Sequence, residues 1–119
     1  LGELIDKISI LIIKKNNIND EKKISYIVEE LEALNKTLES VISKSKVEDY
    51  IKKLIDINSK LWKIEDDIRE CERKNSFDEK FIELARSVYI TNDKRSDIKL
   101  EINNKFGSKI IEVKSYKAY

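Results

Sequence analysis

Ser76–Arg95 reads SFDEKFIELARSVYITNDKR, and the way it is parsed decides the fold. Ser76 and Glu79 have the spacing of a capping box, which starts a helix at Phe77. At about 100° per residue, Phe77, Phe81, Leu84 and Val88 share one narrow stripe. Asn92 and Arg95 keep its phase, and so do Ile98, Ile102 and Phe106. The pattern predicts one long helix over residues 77–106. A rival parse breaks it at Thr91-Asn92-Asp93, where Asn92 or Asp93 would cap a further helix. Ile82 and Tyr89 fall on a second face, near Arg86. Two apolar faces predict a helix buried on more than one side, with the other helices arranged around it. In the continuous parse Asn92 and Arg95 lie in or beside the core stripe. They then require polar partners, because burying an unpaired polar group is costly.

Upstream, three more amphipathic segments precede this helix. The first spans about 1–16, with Leu1, Leu4, Ile5, Ile8, Leu11 and Ile12 on a broad stripe and Ile10 and Ile13 towards a second face. That second face fits either a helix tucked between two neighbours or a face that binds a partner. Asn16–Asp20 breaks the chain, and Asp20 is a good N-cap. The second helix, about 21–43, carries Ile24, Ile27, Leu31, Leu34, Leu38 and Val41 at near-heptad spacing, which suits a shallow antiparallel packing. Ser45 and Glu48 form another capping box, and the third helix covers about 46–73. Its stripe runs from Val47 through Ile51, Leu54, Leu61 and Ile64 to Ile68, and Asn58, Glu65 and Arg69 lie on or beside it. Gly107 occupies a C-cap position. The following SKIIEVKSYKAY predicts a non-helical tail, with Ile110, Ile111, Val113 and Tyr116 packing back on the helices. Short connections make neighbours antiparallel. The expected fold is a single all-α domain over residues 1–119, an antiparallel bundle of four helices.

Composition supports that class. The chain has no proline and two glycines, too few turn residues for a sheet protein. Charged residues make up 39% of the chain, yet the net charge is +1, which argues against a nucleic-acid partner held by bulk charge. Histidine is absent, which removes the commonest general base and zinc ligand. Cys71 is the only cysteine, so no internal disulfide can form. No apolar run approaches the ~18 residues of a membrane span. These features predict a cytoplasmic protein with no membrane partner. The chain begins at Leu1 and not at methionine, as expected where the native N-terminus lies further upstream.

The polar intrusions define the candidate site. Antiparallel third and fourth helices bring Asn58, Glu65 and Arg69 towards Asn92 and Arg95, with Arg86 nearby. Glu65 and Arg69, four residues apart, can pair directly. One reading of this layer is a buried network that sets helix register. The other is a pocket for an anionic small molecule, with Arg69, Arg86 or Arg95 as the donor. Glu65-Asp66-Asp67 does not form a metal site by itself, because consecutive helical residues diverge by about 100°. A metal would need carboxylates from another helix, such as Glu3 or Asp6. Neither a metal nor a cofactor is expected. Trp62 falls just off the third stripe and is read as covering the core edge.

Four blocks carry a family resemblance: GELIDK at Gly2–Lys7, LWKIEDDIR at Leu61–Arg69, FIELARSVYITND at Phe81–Asp93 and GSKIIEVKSYKAY at Gly107–Tyr119. In order and over nearly the whole chain, they resemble a family of small all-helical bacterial and phage proteins, a domain of unknown function. The resemblance implies a link to surface-polysaccharide genes and no particular chemistry. The expected role is therefore a non-enzymatic accessory or interaction domain that self-associates. The alternative is a binding or catalytic domain for a nucleotide or sugar phosphate.

Overall fold

Four α-helices account for most of the chain: α1 (Gly2–Asn17), α2 (Glu21–Val41), α3 (Glu48–Arg73) and α4 (Glu79–Phe106), with a 3-10 turn at Lys44–Lys46 between α2 and α3. The structure is a computed structural model, and it describes residues 1–106. Gly107 and the tail expected to pack back on the helices lie outside the described residues. The all-α, four-helix class expected from the sequence is the one found. Among the described residues, no helix is long and apolar enough to cross a membrane.

α4 is continuous through Thr91-Asn92-Asp93, so the parse that breaks it there is not the one adopted. Its start differs from the expected capping box. Asp78 is the cap, its Oδ1 accepting from the Lys80 amide at 3.1 Å and the Phe81 amide at 3.4 Å. Ser76 instead donates its backbone N–H to the Cys71 carbonyl at 2.9 Å, closing the turn around Asn75, which adopts φ 51°. Asn tolerates that left-handed conformation better than most residues. The Ser45 box also fails to form. Ser45 bonds the Ser43 hydroxyl at 3.0 Å, and α3 begins after Val47 without a side-chain cap. Asp20 does cap α2, accepting from the Lys22 and Lys23 amides.

The organising element is α1, not α4. α1 packs against α2, α3 and α4, while α2 forms its seam on α1 alone. Gly2 meets Asn103 and Asp6 meets Arg95, so α1 and α4 run antiparallel. Tyr50 meets Glu101 and Phe106, so α3 and α4 are antiparallel as well. Hence α1 and α3 run parallel. The core gathers Ile5 and Ile8 from α1, Leu38 from α2, Leu54 from α3 and Ile102 from α4, each with 0% exposure. Each such side chain contributes roughly 1.5–3 kcal/mol by leaving water.

α4 is not buried on two sides over its first half. Among residues 79–90 none is buried, and Ile82 and Tyr89 are exposed. The buried part of α4 begins at Thr91 and includes Lys99, Ile102 and Asn103. α1 covers only that later part through its bonded pairs, because a 16-residue helix is far shorter than a 28-residue one.

Candidate functional site

Local pattern explains why polar groups enter this core. On α1, Gly2, Asp6, Ser9 and Ile13 recur at three- and four-residue steps and so share a face. All four are buried. On α4, Thr91, Arg95, Lys99 and Asn103 recur every four residues. The two rows meet. Gly2 donates its backbone N–H to Asn103 Oδ1 at 2.8 Å. Lys99 pairs with Glu3. Arg95 donates from Nε to Asp6 Oδ1 at 2.9 Å and from Nη2 to Asp6 Oδ2, a bidentate pair.

Asn58 of α3 closes the network. Its Nδ2 donates to Asp6 Oδ1 at 3.0 Å and to Ser9 Oγ at 2.9 Å. Ser9 Oγ donates to the Asp6 carbonyl at 2.6 Å. Asp6, with a side chain 2% exposed, therefore collects donors from two other helices, and Arg95 is 28% exposed at its rim. A buried carboxylate requires such pairing, since an uncompensated buried charge costs several kcal/mol.

A pocket of about 260 Å³ opens beside the network. Asn58, Glu65, Asn92 and Arg95, four of the residues expected in the site, line it with Trp62 and Ile13. A second depression of about 190 Å³ holds Arg69 with Trp62, Glu65 and Asp66. Arg86 is exposed and lines neither. Glu65 and Arg69 do not pair as expected, and Glu65 has no hydrogen-bond or ion-pair partner among the described residues. Lysine–carboxylate spacing nearby goes to Lys63–Asp67 instead, at 3.7 Å.

Arg95 lies at the edge of the core with a polar partner, and that partner is Asp6 and not the Glu65–Arg69 segment. Asp6, Ser9, Lys99 and Asn103 were not among the expected site residues. For Asp6 and Ser9 the signal is the small, polar row Gly2-Asp6-Ser9 at helical spacing beside the apolar stripe of α1. Among the described residues, no group of three or more His, Cys, Asp or Glu is placed to hold a metal ion. The chain matches no protein-family model, no curated protein and no solved structure.

Proposed function

We propose that this protein is a non-enzymatic helical interaction domain that pairs with a second copy of itself through the first half of α4. The observation behind the reading is the absence of any buried residue between 79 and 90, where Ile82 is 54% exposed, Tyr89 39% and Ile90 42%. Ile82 and Tyr89 are seven residues apart and share a face, with Phe77 also exposed just before the helix. Clustered apolar exposure of this kind is a feature of association surfaces. Here α3 and α4 form a two-helix layer, and two such layers from two copies make the four-helix packing that buries both apolar faces. The net charge of +1 imposes little bulk repulsion between copies.

The reading as an anionic small-molecule site is weaker, because the Nε/Nη2 edge of Arg95 is engaged by Asp6, which already matches its charge. Sedimentation equilibrium of the chain and of Ile82→Glu decides between them. Self-association is expected for the parent chain and its loss for the variant, with unchanged helix content. A parent chain that stays monomeric throughout refutes the proposal.

A further inference from the structure

We propose that the pocket between α1, α3 and α4 binds a primary alkylammonium group. The hydrogen-bond inventory of its walls carries the inference. Both N–H groups of Asn58 are spent, on Asp6 Oδ1 and Ser9 Oγ, so its remaining polar atom is the acceptor Oδ1. The Arg95 charge is matched by Asp6 within a bidentate pair. Glu65 contributes a carboxylate that has no partner among the described residues. Trp62 Nε1–H and the Asn92 carboxamide also line the space without a partner among the described residues, so neutral donors and acceptors are both present, and the unmatched charge is the negative one of Glu65. The neighbouring depression adds Asp66 and Arg69, whose charges cancel.

A phosphate or sulfate meets the wrong sign here. An ammonium brings one positive charge and three donors, which suit Glu65, Asn58 Oδ1 and the Asn92 carboxamide. Ile10, Ile13 and Leu61 supply the apolar wall for a short alkyl stem. Trp62 shares the wall, and an aromatic ring is the apolar surface most favourable to a cation. At about 260 Å³ the space suits an amine of a few carbons. A free amine and a lysine side chain present the same group.

Trp62 is the only tryptophan, so its fluorescence reports on this pocket directly. The full chain is titrated with n-butylammonium chloride, and in parallel with n-butanol, sodium phosphate and Nα-acetyl-lysine methylamide at matched ionic strength. The amine is expected to give a saturable change with half-saturation on the order of 1–10 mM, as befits so small a ligand. Glu65→Gln is expected to weaken it several-fold, by removing the charge partner. Glu65 is exposed, so the variant is expected to keep its fold, with circular dichroism as the check. Tighter binding of the lysine derivative assigns the site to a peptide lysine, and tighter binding of the amine assigns it to a free amine; either supports the proposal. A flat amine titration, an equal response to butanol, a response to phosphate, or full binding by Glu65→Gln overturns it.

Discussion

Arg95 holds Asp6 through two nitrogens across 89 positions of sequence, and the pair joins the last helix to the first. Asn58 adds a third helix to the same carboxylate. The network therefore does the work of register: sliding α4 by one turn along α1 would strand the carboxylate, the guanidinium and the Asn103–Gly2 bond together.

Removing either member of the pair leaves an uncompensated charge. Asp6→Ala and Arg95→Ala are each expected to lower stability by about 3 kcal/mol, the lower end of the range for buried pairs, since Arg95 is partly exposed. The double variant is expected to cost clearly less than the sum. Urea denaturation of the four proteins reads both quantities, and additive losses would show that the two residues are not coupled.

Asn58→Asp tests the network through pH. The change sets a second carboxylate at hydrogen-bond distance from Asp6. Like charges raise the folded-state pKa of the new acid above its unfolded value. Protons are then bound more tightly by the folded state, so stability is retained in acid and lost as pH rises through about 4 to 7. Thermal melts of variant and parent across that range give the difference. A constant gap would contradict the placement of Asn58 beside Asp6.

The α1–α4 seam admits no methyl group at its end. A Cβ on Gly2 would stand 2.5 Å from the Lys99 carbonyl oxygen and 3.1 Å from Asn103 Oδ1. The carbonyl belongs to a helix backbone and cannot rotate away. Gly2→Ala is expected to cost about 1–3 kcal/mol, the usual penalty of overpacking, although alanine is the better helix former. A denaturant midpoint equal to or above that of the parent would show that the helices are not in this contact.

The two candidate caps of α4 separate cleanly. Asp78→Ala is expected to cost about 1 kcal/mol, because its carboxylate accepts two first-turn amides. Ser76→Ala is expected to be close to neutral, since Ser76 contributes only its backbone N–H to the turn. Chemical denaturation of the two variants checks the ranking, and a larger loss for Ser76→Ala would restore the capping box.

Helical phase made much of this fold legible. The unbroken helix to Phe106, the Asp20 cap and the anomaly of Arg95 follow from spacing within a single helix, and the structure contains all three. Periodicity does not reveal which helix lies opposite. For that reason spacing alone points Arg95 to the neighbour next in sequence, whereas α1 carries its partner. The same gap made Ile82 and Tyr89 read as a second buried face when α1 is too short to cover them. Capping motifs misled where another oxygen was better placed, as Asp78 is relative to Ser76. Lys99 and Asn103 escaped notice because a lysine and an asparagine on a charged helix look like solvated surface until Gly2 brings a backbone against them.

Hydrogen exchange at two protein concentrations tests the proposed association surface most directly. Amides of residues 79–90 lie on a helix without a buried residue in that span, so in a monomer they exchange through easy local opening. Pairing through Ile82 and Tyr89 predicts that their exchange slows as concentration rises, while amides of α2 on the far side of α1 keep their rates. Exchange over 79–90 that is independent of concentration would contradict the account.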